Sequence, residues 1–165
     1  MIYELENGYF VRALQKQDAD GIYPLWFEDQ DVCRYNRHGK FPKSREYFLD
    51  YIASLNREER VVWAVCHQVD GHIGNIALEN ISFIDRSAEF AIIMGAREHW
   101  GKGVAKCAGR TLIKHGFEKL NLFRICCGTA ASNKGMCNLA VSLGMQQEGI
   151  RRKAFYLDGQ WQDMI

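Results

Sequence analysis

The chain has few prolines, no long hydrophobic run and no excess of charge of either sign. Only two of its 165 residues are proline, and we find no low-complexity stretch and no internal repeat. Nothing in the sequence therefore resembles a linker between domains. Because 47% of the residues are hydrophobic, a sizeable core is available, and we predict one domain over residues 1–165.

The balance of charge and the lack of an apolar run argue against two kinds of partner. The 21 basic and 20 acidic side chains leave a formal net charge of +1, which gives no general electrostatic reason to expect a nucleic acid. No run approaches the roughly 18 apolar residues of a membrane span, and the N-terminal sequence MIYELENGYF lacks a signal segment. We therefore expect a protein that binds neither nucleic acid nor membrane and works in the cytoplasm.

The six cysteines are not spaced for metal binding or disulfide exchange. No two of them have the C-x-x-C spacing that is typical of zinc and redox sites. We predict reduced, mostly buried thiols and no metal site. The cysteines occupy positions 33, 66, 107, 126, 127 and 137.

Hydrophobic periodicity predicts strands and helices along the whole chain. Strands are predicted at residues 8–14, 61–69, 73–81, 87–94, 122–129, 145–157 and 160–165. Helices are predicted at residues 18–28, 44–55, 102–120 and 133–143. The Asp70-Gly71 pair is a strong hairpin signal, and the third helix joins two strands in a βαβ unit, which should be parallel and right-handed. This order predicts an α/β domain with a mixed sheet.

The loop at residues 95–103 and the helix after it carry the clearest functional signal. Glycines at 101 and 103 let the backbone approach a ligand closely, and the first amides of a helix have no partner within it. Together with Lys102 or Lys106, the N–H groups of residues 101–105 could hold the oxygens of a phosphate or pyrophosphate. The alternative is a glycine-containing helix start that binds nothing.

Two nucleotide-binding motifs fail at this loop. A P-loop needs a serine or threonine after Gly101-Lys102, but Gly103 stands there and has no hydroxyl for magnesium. A dinucleotide-binding fold needs a third glycine where this chain has Lys106, and the loop would follow an early strand instead of three antiparallel ones. We therefore expect neither an NTPase nor a dinucleotide-binding fold.

The segment from Trp100 to Ala105 resembles the acyl-CoA signature of the GCN5-related N-acetyltransferase (GNAT) family. That signature reads Gln or Arg, two residues, Gly, one residue, then Gly or Ala. The segment WGKGVA matches it at Gly103 and Ala105, with Trp100 in the first position. The aromatic-Gly-Lys-Gly form is similar to the branch that includes ribosomal-protein alanine acetyltransferases and small-molecule amine acetyltransferases.

A second motif supports the same resemblance. Residues 132–152 resemble the family's asparagine-helix-leucine-glycine segment, with Asn133, Leu143-Gly144-Met145 and Glu148-Gly149 in place. The resemblance covers nearly the whole chain. It implies a mixed, mostly antiparallel central sheet with a splayed parallel strand pair, flanked by about four helices.

The resemblance also implies acetyl-CoA as the cosubstrate, with no metal. The residues that would hold its pyrophosphate are Trp100, Gly101, Lys102, Gly103, Val104 and Ala105. The pantetheine arm would run beside Ile92, Ile93 and Met94, with Asn133 on its other side. Asn133 has an alternative role as a helix N-cap, and it could fill both.

Acetyl transfer to an amine needs a base, a group that stabilises the oxyanion and a proton for the thiolate. We take Glu89 as the first candidate base and Glu79 as the second, against the alternative that each is an ordinary surface carboxylate. The backbone N–H near Ile93 or Met94 is the candidate for the oxyanion. The family's tyrosine and serine in the last helix correspond here to Ala140 and Met136, so no residue is assigned as general acid.

The polar and aromatic run at residues 34–41 is the predicted acceptor region. Its substrate-binding candidates are Tyr35, Asn36, Arg37 and His38. This mixture suits an anionic, hydroxylated acceptor such as a nucleotide-linked amino sugar; the alternative is a solvated loop with aromatic anchors. The predicted function is acetyl-CoA-dependent N-acetylation of a small primary amine. The alternatives are acetylation of a protein N-terminus and acyl-CoA binding without turnover.

The C-terminal end bears on assembly. Family members usually continue about ten residues beyond the position of Asp163, whereas this sequence stops at Ile165. Either the last strand is short or a partner supplies the missing edge, and an exposed edge invites pairing. A homodimer is therefore a plausible assembly.

Overall fold

The computed structural model describes residues 1–55 and 58–165, and within these ranges the chain forms eight strands and three α-helices. The strands are β1 (Ile2–Glu4), β2 (Tyr9–Ala13), β3 (Val61–His67), β4 (Gly71–Ser82), β5 (Ser87–Met94), β6 (Arg124–Cys126), β7 (Arg151–Leu157) and β8 (Gln160–Met164). The helices are α1 (Arg45–Ser54), α2 (Val104–Lys119) and α3 (Lys134–Ser142).

Six strands form one sheet in the order β1-β2-β3-β4-β5-β6. All neighbours are antiparallel except β5 and β6, which α2 connects and which run parallel. Strands β7 and β8 form a separate hairpin, joined to the segment after β6 by an antiparallel bridge between Ala130 and Met164. The predicted α/β class, with its mixed and mostly antiparallel sheet, is confirmed.

The parallel pair β5 and β6 separates after a short contact. Ser87, Ala88 and Glu89 pair with residues 124–126, and the ladder ends there. Further along β5, residues 90–94 pair only with β4 on the other side. Backbone groups alternate in direction along a strand, and the Gly95 amide bonds Ile73 of β4. The backbone groups of Ile92 and the amide of Met94 therefore face away from β4 and can bond something other than a strand of this sheet.

The two faces of the sheet are covered by different parts of the chain. Because side chains alternate along a strand, Leu78 and Phe90 point toward α2, where they pack with Leu112 of that helix. On the opposite face Ala77 packs with Phe48 of α1 and with the aromatic residues near the N-terminus. Glu79 and Glu89 are cross-strand partners, and their positions put them on this second face.

The helix predicted at residues 18–28 is wrong. The segment forms two short 3₁₀ helices, Lys16–Asp20 and Tyr23–Phe27, with extended backbone at Gly21 between them. Pro24, in the first turn of the second one, has no N–H to continue a longer helix. Asp18 lies inside the first one, where its carboxylate accepts from Arg12 and from the Gln15 amide. The flanking helices are therefore three α-helices, among the residues described, instead of about four.

Packing explains the aromatic content of this region. Trp26 lies directly on Gly95, where an added Cβ would come within 1.9 Å of the indole. Only glycine allows that approach, so the residue that follows β5 packs directly against the indole of Trp26. Within this segment Trp26 is buried, whereas Ile22 and Leu25 are exposed.

Three further predictions differ from the structure. The strand predicted at 122–129 is paired only at Arg124–Cys126, and the one predicted at 145–157 begins at Arg151. The thiols are free, but only Cys33 and Cys66 are buried. The hairpin at Asp70-Gly71 and the bounds of β5 are confirmed. No helix in the described ranges has both the length and the apolar character needed to cross a membrane.

Candidate active site

A groove of about 720 Å³ opens where β5 and β6 part. It collects residues that are far apart in the sequence: the end of β5, the loop before α2, the start of α3 and the aromatic segments near the N-terminus. Of the predicted site residues, those that line it are Tyr35, Asn36, His38, Glu79, Glu89, Ile92, Ile93, Met94, Trp100, Gly101, Gly103, Val104, Ala105 and Asn133. Arg37 and Lys102 are exposed and are not part of the lining among the residues described.

The loop before α2 has the backbone of an anion-binding helix start. Gly101 and Gly103 have φ values of +74° and +79°, which favour glycine. Gly103 is the N-cap of α2, and its carbonyl accepts from the amides of Lys106 and Cys107. The amides of Val104 and Ala105, at the first positions of the helix, have no partner within it. The groove thus receives N–H donors and the positive end of a sixteen-residue helix.

Trp100 ties this loop to the strand before it. Its indole N–H donates to the carbonyl of Met94 over 2.9 Å, and the guanidinium of Arg97 lies 5.8 Å from its ring centroid. Arg97 also pairs with Asp31 at 2.7 Å and with Asp29 at 3.7 Å. The residue that departs from the family signature therefore positions the loop, and Arg97 joins the loop to the aromatic segment opposite.

We expect Trp100→Phe to weaken acetyl-CoA binding by about three- to tenfold, because it removes one hydrogen bond and keeps a ring. Calorimetric titration with acetyl-CoA measures the Kd directly. Trp161→Phe is the matched control, since Trp161 is exposed on β8, and it should leave the Kd unchanged. Equal values for Trp100→Phe and wild type would contradict this role of the indole.

Asn133 caps α3 from the other wall of the groove. Its side-chain oxygen accepts from the Met136 amide at 3.2 Å, and its side-chain nitrogen donates to Thr129 Oγ1 at 3.0 Å. Thr129 is buried. The alternative role as an N-cap is confirmed, and one amide hydrogen of Asn133 is left for the groove.

The carboxylates of Glu79 and Glu89 face each other at the point where the pairing between β5 and β6 ends. Glu79 is half-buried, and burial raises the pKa of its carboxyl. Arg60 at 3.7 Å and the nearby hydroxyl of Tyr51 oppose this, and the charge of Glu89 adds to it. Glu89 is more exposed and accepts from the side-chain amide of Asn80 at 3.2 Å. The arrangement offers two proton acceptors beside the free edge of β5.

The sequence analysis missed the tyrosines of the groove. Tyr47 and Tyr51 follow helical spacing on α1, which is typical of core residues, yet both line the groove, as Tyr23 does. Burial, together with the charge of Glu79, raises the pKa of Tyr51 to about 12. The ammonium of Lys43 lies 3.7 Å from the ring centroid of Tyr47. The lysine four residues before Tyr47 was the one sequence signal that this tyrosine is accessible.

The cations of the predicted acceptor run contribute little free charge to the groove. Arg34 lines it but pairs with Asp158 at 2.7 Å. Tyr35 donates to the carbonyl of Ser132, next to Asn133, at 3.3 Å. The ring of His38 lies edge-on to Phe27 with a centroid separation of 5.3 Å. The run therefore closes the groove as a wall of aromatic and amide groups.

The fold, with its groove between two parted parallel strands, is that of an acyltransferase. The family model described as an acetyltransferase (GNAT) domain matches residues 9–146, and the chain belongs to the GNAT family. The GNAT branch and the fold predicted from the two motifs are thereby confirmed.

Relatives and solved structures agree with this assignment. The chain is 31% identical over 163 residues to a spermidine N(1)-acetyltransferase of Vibrio cholerae, covering 93% of this chain and 88% of the relative. It is 33% identical over 165 residues to a putative ribosomal N-acetyltransferase of Bacillus subtilis, covering 94% and 87%. A crystal structure of the Vibrio cholerae spermidine N-acetyltransferase with CoA and spermine superposes with a TM-score of 0.84 at 26% identity, covering 96% and 93%. The protein is an N-acetyltransferase that uses acetyl-CoA.

Proposed function

We propose that the acceptor is a primary amine of a small, positively charged molecule, of the chemical class of the polyamines. The observation that carries this is the acidic end of the groove, where Glu79 and Glu89 face each other. Asp31 is paired with Arg97 and Arg34 with Asp158. Arg60, 3.7 Å from Glu79, offsets part of the charge of that carboxylate, whereas the carboxylate of Glu89 bonds only the neutral amide of Asn80 among the described residues. Two carboxylates attract an ammonium group and repel a phosphate. The spermidine acetyltransferases among the relatives add support.

Acetyl-CoA is proposed to lie along the free edge of β5. Its pyrophosphate would contact the loop from Trp100 and the amides at the start of α2, where donors and the helix dipole favour an anion. Lys102, exposed beside this loop, would add only a solvated charge. The pantetheine arm would run beside Ile92, Ile93 and Met94, and its amides would bond the backbone of Ile92 and the amide of Met94, which face away from β4. Asn133 would close the other side.

The reaction follows from this placement. The acceptor ammonium first loses a proton, and the neutral nitrogen then attacks the thioester carbonyl to give a tetrahedral oxyanion. Of the two candidates, the backbone N–H of Met94 would donate to that oxygen, because it faces away from β4 whereas the N–H of Ile93 faces β4. Collapse of this intermediate breaks the C–S bond, and the nitrogen loses its second proton. The products are the amide and the CoA thiolate, which is protonated by water or by the proton that the nitrogen releases.

Glu89 is the proposed base and Glu79 the second candidate. Glu89 occupies the last paired position of β5, next to the point where the strands part, and so lies nearer to the acetyl end of a cosubstrate that runs back along β5 from the loop. Glu79 has the raised pKa that suits a base working near neutral pH. As its partner across the strands, Glu79 would also help to hold the ammonium.

A second acceptor class is favoured by the wall at residues 34–41. Tyr35, Asn36 and His38 offer stacking and hydrogen-bonding groups, which suit a hydroxylated acceptor such as a nucleotide-linked amino sugar. Arg37 would contact such an acceptor only from the rim, because it is exposed outside the lining. A protein N-terminal amine is a third acceptor, supported by the ribosomal acetyltransferases among the relatives.

Thiol release from acetyl-CoA separates these acceptors. We expect spermidine to be turned over with the highest kcat/KM, ahead of a nucleotide-linked amino sugar and of a peptide with an N-terminal alanine. A preference for the amino sugar, lost when Arg34, Arg37 and Lys40 are replaced by glutamine, would contradict the cationic acceptor. A preference for the peptide would contradict both small-molecule proposals.

Two predictions from the sequence extend this proposal. The homodimer is a proposal, and light scattering is the test for it. Within one chain Met164 of β8 already pairs with Ala130, so this part of the β8 edge is not available to a partner. The cytoplasmic location also stays a prediction, to be checked by cell fractionation.

A further inference from the structure

Three side chains of the types that bind metals lie together beside the loop before α2. They are separate from the two carboxylates of the groove. His67 ends β3, Asp70 lies in the turn before β4, and His99 immediately precedes Trp100. One ligand atom from each side chain lies within 4.8 Å of the other two. The strand order brings them together, because β3 and β4 form a hairpin whose turn faces the end of β5.

The carboxylate of Asp70 stands between the two imidazoles. Its Oδ2 lies 2.6 Å from Nδ1 of His67 and 3.3 Å from Nε2 of His99. The side chain of His99 is only 3% exposed, and its Nε2 makes no hydrogen bond. A buried ring nitrogen without a partner is costly, and here it faces an acceptor oxygen. A cation between them would satisfy both.

Tyr9 fixes His99 in the orientation that a metal ligand needs. The phenol oxygen of Tyr9 lies 2.9 Å from Nδ1 of His99, and its ring packs on His67 with a centroid separation of 4.8 Å. If Nδ1–H donates to the phenol oxygen, the lone pair of Nε2 points at Asp70. Metal-bound histidines commonly hold their second nitrogen in such a contact.

We propose that His67, Asp70 and His99 bind a divalent transition-metal ion, with Zn²⁺ as the best fit. Two imidazoles and a carboxylate are zinc ligands, whereas Mg²⁺ and Ca²⁺ prefer oxygen alone. Tetrahedral coordination with bonds of about 2.0–2.1 Å separates ligand atoms by roughly 3.3 Å, the distance already present between Asp70 and His99. The distance between Asp70 and His67 is 2.6 Å and would have to lengthen to about the same value. Asp70 is half-exposed and can turn to allow this, and water can take the fourth position.

The ion would have a positioning role. It would join the β3–β4 turn to the residue before Trp100, and so stabilise the loop proposed to hold the pyrophosphate. This role rests on the proposed acetyl-CoA site, but metal binding itself does not. Acetyl transfer by direct attack needs no metal, so the ion would act on the loop and not on the reacting atoms.

Titration of the purified protein with Co²⁺ and Zn²⁺ tests the site. We expect one equivalent of Co²⁺ to bind with a spectrum that lacks thiolate charge transfer, and Zn²⁺ at a hundredfold excess over its Kd to raise the Tm by about 5–10 °C. Asp70→Asn and His67→Gln should each weaken binding at least about tenfold. Mg²⁺ should leave the Tm unchanged.

His115→Gln is the matched control. His115 pairs with Tyr3 at 3.1 Å, as His99 pairs with Tyr9, but it is not part of the three-residue cluster; its replacement should leave binding intact. Absence of saturable binding, or binding with thiolate charge transfer that survives both variants, would overturn the site. A Kd for acetyl-CoA that is equal with and without Zn²⁺ would overturn the effect on the loop.

Discussion

Glu89→Gln is expected to lower kcat/KM by about 10²–10⁴-fold, the usual contribution of a general base. The substitution keeps the size of the side chain and its contact with Asn80, so the fold should persist. Thiol release measured across pH gives the profile, and Glu118→Gln on the exposed side of α2 is the control. The neutral amide of the variant cannot accept the proton, and the acidic limb that reports the base should disappear.

The reciprocal variant decides between the two carboxylates. If Glu79 is the base, Glu89→Gln retains activity, and its acidic limb moves to lower pH. The sign follows because the charge of Glu89 raises the pKa of Glu79, so removing that charge lowers it. Glu79→Gln would then carry the large loss of kcat/KM. That combination would contradict the assignment of Glu89.

Asp18→Asn is expected to destabilise the fold by about 3 kcal/mol and to lower the Tm by roughly 6–12 °C. Asp18 accepts from both terminal nitrogens of Arg12, at 2.7 and 2.8 Å, and its side chain is 5% exposed. Asparagine leaves the guanidinium of Arg12 without a counter-charge. Asp20→Asn is the control, because its pair with Arg45 is exposed, and it should change the Tm little. Equal Tm values for the two variants would contradict the prediction.

The same pair predicts a pH dependence. Burial favours the neutral form of Asp18, but hydrogen bonds from Arg12 and the Gln15 amide outweigh it and lower the pKa of the carboxyl. A lowered pKa in the folded state contributes stability that is present above the unfolded pKa of about 3.9, and is lost as the pH falls through the folded value. The free energies of unfolding of wild type and Asp18→Asn, measured with urea, should therefore converge at pH values below the folded pKa of Asp18. A difference that stays constant down to pH values of about 3 would argue against this coupling.

Local patterns predicted the half of the groove that is proposed to hold acetyl-CoA. The closely spaced glycines at 101 and 103 mark the loop, and the end of β5 follows from the apolar run FAIIM and the glycine at 95 that stops it. Asn133 was recognisable for the same reason, since an N-cap lies directly before its helix. These features depend on neighbours in the chain.

The half of the groove proposed to bind the acceptor depends on contacts between distant residues, which no local pattern reveals. The cationic run looked suited to an anion, yet Arg34 meets Asp158, which lies 124 positions away. Tyr47 and Tyr51 have the spacing of core residues, and their access to the groove is set by how α1 lies on the sheet. The segment with Tyr23 and Trp26 has an apolar pattern that suits a helix, but contact with Gly95 and a proline fix a different backbone.

The bridge from Arg97 to Asp31 and the packing of Trp26 on Gly95 join the acceptor wall to the loop before α2. A shift of the loop on loading with acetyl-CoA would displace the wall that meets the amine. Thermodynamic linkage then requires reciprocity: whatever factor the cosubstrate applies to the affinity for the amine, the amine applies to the affinity for the cosubstrate. The coupling between the two affinities is thus expected to depend on one ion pair and one glycine.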